Sequence, residues 1–180
     1  MLRHQEVKIV GMGGQGIMVI GQLLAHAVVM EGANVVWFPS YGPETRGGLA
    51  ECTVIVSPDE IGSPVTAAPD VLIAMTQPLL DKFAPTVKAG GMIFVNTSLA
   101  EPPAYRGDCK IIEIPATDIA TELGNSKTAN MVMLGGYVGM LKPVKLESLN
   151  ASLEEVLPAH NHRFIPVNIA ALSKGAELVA

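Results

Sequence analysis

Charged residues are scarce in this sequence. Asp, Glu, Lys and Arg make up 16% of the 180 residues, whereas about a quarter is usual in soluble proteins. The net charge is −5 and no cluster of lysines and arginines occurs, which argues against nucleic acid or an acidic membrane surface as a partner. Because 49% of the residues are hydrophobic, little polar material is left for the surface. We therefore expect another protein to cover part of it.

Cysteine is nearly absent too. Cys52 and Cys109 stand far apart, so the sequence contains no disulfide framework, iron–sulfur motif or zinc-binding pattern. So few cysteines are typical of the reducing cytoplasm. The longest apolar stretch, residues 17–30, is too short to span a bilayer and contains Gln22 and His26. The polar start of the chain gives no sign of a secretory signal peptide.

Strand-like and helix-like segments alternate along the chain, and the last third is mostly helical. This order predicts one domain, residues 1–180, with three layers, α/β/α, around a Rossmann-like, doubly wound and mostly parallel sheet. The segment between the second and third strands is too short for a crossover helix. These two strands are therefore either antiparallel neighbours or not paired with each other, and the sheet can include one antiparallel strand.

A glycine-rich turn, GMGGQG, follows the first strand and opens an apolar helix. Its pattern, G-x-G-x-x-G, is typical of turns that bring a phosphate close to free backbone amides and a helix N-terminus. No acidic residue ends the second strand, which argues against NAD, and the lysine of a Walker loop is missing. Two interpretations remain: a phosphate-bearing ligand other than NAD, or a tight turn without a ligand. The candidate ligand-binding residues are Gly11, Gly13, Gly14, Gln15 and Gly16.

A second unusual segment, PSYGPETRGG, spans residues 39–48 between two strands. Its prolines stiffen it and its glycines permit close contacts, a combination that suits a recognition loop. Loops this long in compact domains are often functional. The alternative is a surface loop with one exposed ion pair between Glu44 and Arg46, which would contribute little to stability.

Several motifs in a fixed order resemble one known family. GMGGQGI is followed by SYGPETRGG and then by a strand with CTVIVS. The segments TANMVMLG, residues 128–135, and VNIAALSKG, residues 167–175, extend the likeness over nearly the whole chain. Together they resemble the gamma subunit of 2-oxoacid:ferredoxin oxidoreductases of the pyruvate, 2-oxoglutarate and 2-oxoisovalerate types. The beta subunit of indolepyruvate oxidoreductase is similar.

This resemblance implies a part in a multi-subunit enzyme. The family reaction converts a 2-oxoacid and coenzyme A (CoA) to acyl-CoA and CO2, and its electrons pass to ferredoxin. Thiamine diphosphate, magnesium and [4Fe-4S] clusters are expected on alpha, beta and ferredoxin-like delta subunits or fused equivalents. This chain would then carry no catalytic residue and would be inactive alone. In isolation we expect it to pair with itself in place of its partners.

The family role most compatible with the sequence is to help bind CoA and to shape a subunit interface. The glycine turn would offer amides to a CoA phosphate, and Arg46 would supply a nearby cation whose planar donors suit phosphate. Ser40, Tyr41 and Glu44 would fix the loop against a partner subunit or against Arg46. Two further hypotheses are a free-standing NAD- or NADP-dependent oxidoreductase and a purely structural subunit.

Other polar and small residues have local interpretations. Asn130 is either the N-cap of the helix that follows it or a residue of the family site. Thr97 and Ser98 end a strand, where α/β folds bind ligands, but a turn or helix cap is favoured. Gly135 and Gly139 lie one turn apart on a predicted helix, which indicates close approach of another helix.

Overall fold

The structure is a computed structural model and describes residues 2–41 and 48–180. Six strands are described: β1 Gln5–Met12, β2 Asn34–Tyr41, β3 Leu49–Ser57, β4 Val71–Ala74, β5 Met92–Asn96 and β6 Lys110–Ile114. The α-helices are α1 Ile17–Met30, α2 Gln77–Phe83, α3 Ala116–Glu122, α4 Ala129–Leu141, α5 Leu146–Val156 and α6 Ile165–Glu177. Short 3-10 turns lie at Ala84–Thr86, Ser126–Thr128 and Ala159–Phe164.

The strands form one sheet in the order β2-β3-β1-β4-β5-β6. β3 runs antiparallel to both β1 and β2, and the pairs β1–β4, β4–β5 and β5–β6 are parallel. This confirms the predicted mostly parallel α/β sheet with an antiparallel strand. The short segment after β2 leaves no room for a crossover helix, so the chain turns back and β3 pairs antiparallel.

The two faces of the sheet are covered unequally. Helices α1, α3, α4, α5 and α6 pack on one face and form the larger apolar core. The other face carries a smaller core beneath α2 and the 3-10 turn that follows it. Phe38 and Leu49 belong by strand register to this second face, yet they are 51% and 45% exposed. The three layers are therefore present, but the β2–β3 side of one face lies open.

Helices α4 and α6 cross with their backbones in contact. The segment Ala129–Val138 of α4 is buried at every position. A side chain on Gly135 would overlap the backbone carbonyl of Leu172, and one on Gly175 would overlap the carbonyl of Val132. The predicted close approach of another helix is confirmed, and α6 supplies its own glycine at the contact.

Charged side chains form a cluster of ion pairs and hydrogen bonds at the N-terminal ends of β1 and β4. Lys88 Nζ lies 3.0 Å from Asp70 Oδ1 and 3.2 Å from Glu6 Oε2. The Glu6 carboxylate also accepts a hydrogen bond from the Thr66 hydroxyl, and the Glu6 amide donates to Asp70 Oδ2 at 2.8 Å. Burial alone would raise the pKa of Glu6, but the hydrogen bonds from Thr66 and Lys88 and the charge of Lys88 lower it.

Candidate functional site

The glycine-rich turn lies at the C-terminal end of β1 and leads into α1. Gly14 has φ 93° and Gly16 has φ 70°, a left-handed conformation that costs other residues about 1–2 kcal/mol. The Gln15 amide donates to the Met12 carbonyl at 3.1 Å, and the Met12 amide donates to Gln15 Oε1 at 2.7 Å. The side chain of Gln15 therefore closes the turn by bonding to its backbone.

The backbone amides of the turn fall into two groups. The Gly13 amide donates to the Gly48 carbonyl at 2.7 Å. Within residues 2–41 and 48–180, the amides of Gly14, Gly16 and Ile17 have no acceptor. They lie at the N-terminus of α1, where the helix dipole favours negative charge. This end of the helix can therefore receive a phosphate or carboxylate group.

The glycines of the turn are required for different reasons. A side chain on Gly11 would press against the side chains of Ile17 and Gln15, and one on Gly16 would overlap the side-chain amide of Asn130. At Gly14 no described atom lies within 4 Å of where a Cβ would stand. Packing excludes a side chain at Gly11 and Gly16, whereas at Gly14 the described residues leave space that a ligand could occupy.

Asn130 holds the turn against α4. Its Nδ2 donates to the Gly16 carbonyl at 3.1 Å, across 114 positions of the chain, and its Oδ1 accepts from the Met131 amide at 2.9 Å. The side chain is buried. The predicted N-cap role is wrong, because a 3-10 turn brings the chain into the helix and Thr128 takes the cap position. No local sequence signal could have identified a partner so far away.

The ends of the loop between β2 and β3 lie beside the glycine turn. Ala50 pairs with Tyr41 on β2 and with Gly11 on β1, and the Gly13–Gly48 hydrogen bond ties the start of β3 to the turn. Ser40 pairs with Glu51 in the strand ladder. Glu44 and Arg46 lie outside the described residues, so their predicted contacts stay predictions.

Polar residues at the ends of the other parallel strands stabilise the fold. The buried Asn96 donates to the Met75 carbonyl at 3.3 Å and to Thr117 Oγ1 at 3.0 Å, and it accepts from the Ala116 amide at 3.1 Å. Ser98 Oγ accepts from the Asp118 amide at 3.1 Å. Residues 97–99 form the turn that the sequence favoured, and from it Ser98 satisfies an amide in the first turn of α3, whose N-cap position is taken by Pro115.

A cavity of about 660 Å³ lies beside the turn and was not predicted from the sequence. It borders Val19 of α1 and Asn130 of α4. The remaining walls come from the segment before α4, the 3-10 turn before α6 and α6 itself: Leu123, Gly124, Asn125, Lys127, Thr128, Met131, Leu157, Asn161, Phe164, Val167 and Asn168. No carboxylate is among these residues. The only sequence signal was that two of these segments contain family-like motifs.

Neither a metal centre nor a membrane segment is evident in the described parts of the chain. Residues 2–41 and 48–180 bring together no group of three or more His, Cys, Asp or Glu side chains that could hold a metal ion. No helix among them is long and apolar enough to cross a bilayer.

Two relatives of known type match nearly the whole chain. The ketoisovalerate oxidoreductase subunit VorA of Methanothermobacter marburgensis is 37% identical over 176 residues, which cover 97% of this chain and 36% of VorA. This chain thus spans about a third of VorA. The 2-oxoglutarate synthase subunit KorC of Methanocaldococcus jannaschii is 32% identical over 178 residues, which cover 97% of this chain and 94% of KorC.

Two solved structures share the fold. The gamma subunit of a keto/oxoacid ferredoxin oxidoreductase from Geobacter sulfurreducens aligns with a TM-score of 0.81 and 29% identity, over 97% of this chain and 98% of that subunit. A 2-oxoglutarate:ferredoxin oxidoreductase from Magnetococcus marinus, with 2-oxoglutarate, CoA and succinyl-CoA bound, aligns with a TM-score of 0.88. At 22% identity, over 99% of this chain and 31% of that one, this second match concerns the fold alone.

A family model described as pyruvate ferredoxin/flavodoxin oxidoreductase matches residues 6–178. The match covers both the glycine turn and the α4–α6 crossing, and the relatives agree with it. The resemblance inferred from the motifs is therefore confirmed, and the chain belongs to the pyruvate ferredoxin/flavodoxin oxidoreductase family.

Proposed function

We propose that this chain is the gamma-type part of a cytoplasmic 2-oxoacid:ferredoxin oxidoreductase and that residues 1–180 form one domain of that complex. The complex would convert a 2-oxoacid and CoA to acyl-CoA and CO2 and reduce ferredoxin. The proposal is supported by the likeness to KorC, a 2-oxoglutarate synthase subunit of nearly the same length. It is also supported by the shared fold of the Geobacter gamma subunit.

Within that complex, the glycine turn binds a phosphate of CoA. One observation carries this step: Gly14 is open to approach, and the neighbouring amides of Gly14, Gly16 and Ile17 lack acceptors among the described residues. Such amides at a helix N-terminus favour an anion. Arg46 would add a cation, since its loop begins and ends beside the turn. The chain thus binds and orients CoA and leaves the chemistry to its partners.

The redox and carbanion chemistry belongs to the partner subunits in this proposal. Thiamine diphosphate with magnesium and the [4Fe-4S] clusters are assigned to alpha, beta and delta subunits or fused equivalents. Cluster ligation takes four cysteines, and this sequence contains two. Thiamine diphosphate would supply the carbanion, while the clusters would pass its electrons to ferredoxin.

The assembled enzyme tests the CoA step through Gly14→Val. A valine there should block close approach of the phosphate and raise the apparent KM for CoA, while decarboxylation without CoA changes less. Gly32→Val is a matched control, because Gly32 has φ 77° and also has open space around it. Folded, assembled Gly14→Val enzyme with the KM of the control would contradict CoA binding at the turn.

The isolated chain tests the assignment to a complex. We expect it to bind no thiamine diphosphate, to lack iron–sulfur absorbance and to turn over no 2-oxoacid. It should self-associate in analytical ultracentrifugation, since Phe38 and Leu49 leave apolar surface exposed. When an alpha–beta subunit pair is co-expressed, it should bind the surface through which two copies of this chain otherwise associate. If the mixture showed no association, the complex would be the wrong setting for this chain.

A purely structural role is the second candidate function. It is favoured by Gly11 and Gly16, whose lack of a side chain is explained by internal packing alone. Unchanged CoA kinetics in the Gly14 variant, together with intact assembly, would support it. A binding screen with NAD, NADP and CoA separates both roles from a free-standing nucleotide-dependent oxidoreductase.

A further inference from the structure

The cavity beside the glycine turn is lined by a mostly buried asparagine whose side chain has no hydrogen-bond partner in the described chain. Asn168 of α6 retains 6% of its accessible surface and lines the cavity. Its side chain makes no hydrogen bond within the described chain, whereas Asn96 and Asn130, which are buried to a similar degree, make several. The Asn168 amide is therefore available to a ligand that enters the cavity.

The other cavity residues narrow the chemistry of what Asn168 would bind. Asn125 and Asn161 add two more side-chain amides, and apolar walls come from Val19, Leu157 and Val167. An amide offers one acceptor and two donor hydrogens. Apolar walls with a few polar groups are typical of small-molecule sites, and 660 Å³ lies in their size range. These groups suit an uncharged ligand part that carries both a hydrogen-bond donor and an acceptor.

The mouth of the cavity favours a planar group attached to an anion. Phe164 lines the cavity and is 36% exposed, and the Arg163 guanidinium carbon lies 4.7 Å from the centroid of its ring. Lys127 lines the same cavity and is exposed. Exposed aromatic rings stack with planar amide or heteroaromatic groups, and the two cations would attract an attached phosphate.

We propose that this cavity binds an uncharged planar group that carries both a hydrogen-bond donor and an acceptor, held by the Asn168 amide and stacked on Phe164. The proposal deepens the proposed function and rests on it, because CoA contains two such groups: its adenine base and the amides of its pantetheine arm. Val19 lies one helical turn from Gly16, so one ligand can reach both the cavity and the turn. Asn168 is thereby a binding residue that the sequence did not single out.

Adenosine and pantetheine, titrated separately into the full-length chain, distinguish the two sources. We expect one of them to bind in the millimolar to high micromolar range and to shift the side-chain amide signal of Asn168 in ¹H–¹⁵N NMR spectra. The signal is assigned by its loss in Asn168→Leu. If neither compound moves it at millimolar concentration, the proposal is overturned. Binding that shifts only signals away from the cavity overturns it as well.

Substitution separates a binding role from a structural one. Asn168→Leu should weaken binding of the responding compound about tenfold, as expected for one lost hydrogen bond. The melting temperature should not fall, because no hydrogen bond within the described chain is lost and an apolar side chain replaces a polar one at a mostly buried position. Asn150→Leu is the control for an asparagine away from the cavity, since Asn150 Oδ1 is buried without a partner among the described residues and lies on α5, outside the cavity lining. It should leave binding unchanged. A lower melting temperature for Asn168→Leu with unaltered binding would show a structural role and overturn the proposal.

Measurements on the assembled enzyme distinguish a failure of the cavity proposal from a failure of the proposed function. If the complex forms and Asn168→Leu leaves its KM for CoA unchanged, the cavity proposal fails while the proposed function stands. If no complex forms, although the chain binds adenosine or pantetheine through Asn168, the proposed function fails while the cavity site stands.

Discussion

The glycines of the turn after β1 differ from those of the α4–α6 crossing in what surrounds them. Gly135 and Gly175 face the backbone carbonyls of the opposite helix, with no space for a methyl group. Gly14 has a left-handed backbone, and no atom of residues 2–41 or 48–180 lies within 4 Å of where its Cβ would stand. At the crossing, glycine is required because the backbone of the opposite helix occupies the space that a side chain would need. At Gly14, glycine is required by the left-handed backbone conformation, and the space beside it can receive a ligand.

Gly16 lies between these extremes. Its backbone is left-handed like that of Gly14, but a side chain would overlap Asn130, as at the crossing. A glycine pattern in a sequence therefore combines residues needed for packing, for conformation and for ligand access. The following changes test this division, from the largest expected effect to the smallest.

The crossing should be the most sensitive region. We expect Gly135→Ala to reduce the free energy of unfolding by at least about 3 kcal/mol, since backbone atoms cannot move aside as a side chain can. Gly136→Ala is the neighbouring control, because its methyl group would overlap only the flexible end of the Ile114 side chain and would lie at an ordinary contact distance of 3.7 Å from the Gly175 carbonyl. Alanine also favours the helix by about 1 kcal/mol over glycine. Equal losses for both variants in denaturant unfolding would refute backbone contact as the cause.

At Gly16 an intermediate effect is expected. Gly16→Ala should cost about 2–3 kcal/mol, because backbone strain of about 1–2 kcal/mol adds to the displacement of Asn130. In an Asn130→Ala background the overlap is gone, so the same change should cost only the strain. A double-mutant cycle from urea unfolding measures this difference. Additive losses would mean that the two residues do not press on each other.

Gly14 should show the smallest effect among these glycines. Gly14→Ala should cost about 1–2 kcal/mol from backbone strain alone. Gly32→Ala should cost the same, since its backbone and surroundings are alike. Only the Gly14 variant should then weaken CoA binding in the assembled enzyme. If Gly14→Ala reduced the free energy of unfolding much more than Gly32→Ala, the space at Gly14 would be occupied by other parts of the chain, which would contradict its use by a ligand.

The two ends of the sheet differ in a similar way in whether their polar groups already have partners. The C-terminal end offers amides to a ligand, whereas the N-terminal end is closed by Glu6, Asp70 and Lys88. Glu6→Gln should lower the free energy of unfolding at neutral pH by about 0.5–1 kcal/mol, given the partial exposure of the pair. Glu177→Gln is the control, because Glu177 pairs with Lys174 at 3.7 Å with both side chains exposed, and it should change nothing measurable.

The pH dependence of this effect follows from the lowered pKa of Glu6. A carboxyl whose pKa is lower in the folded chain stabilises above its unfolded pKa, and the contribution is lost as the pH falls through the folded pKa. The usual value for glutamate is 4.5. The stability difference between wild type and Glu6→Gln should therefore hold at neutral pH and disappear in acid. A difference that persisted in acid would exclude the charge of Glu6 as its source.

The sequence by itself determined the succession of strands and helices and the family, and it left β2 and β3 either antiparallel neighbours or unpaired, which the structure decided in favour of antiparallel pairing. These features depend on local patterns: alternation of apolar residues, glycine stops and the length of one connection. It also brought the glycine turn and the loop after β2 into one hypothesis, and the Gly13–Gly48 hydrogen bond joins the turn to the end of that loop.

Only the tertiary structure decided what each residue of the site faces. It shows that Asn130 is not a helix cap but contacts Gly16. It also shows that no described atom lies close to a Cβ at Gly14, and that Asn168 lines a cavity together with residues of α1 and α4. Such roles are set by partners more than a hundred positions away along the chain. Burial and hydrogen bonding depend on which segments meet in space, and no local pattern of residues encodes that.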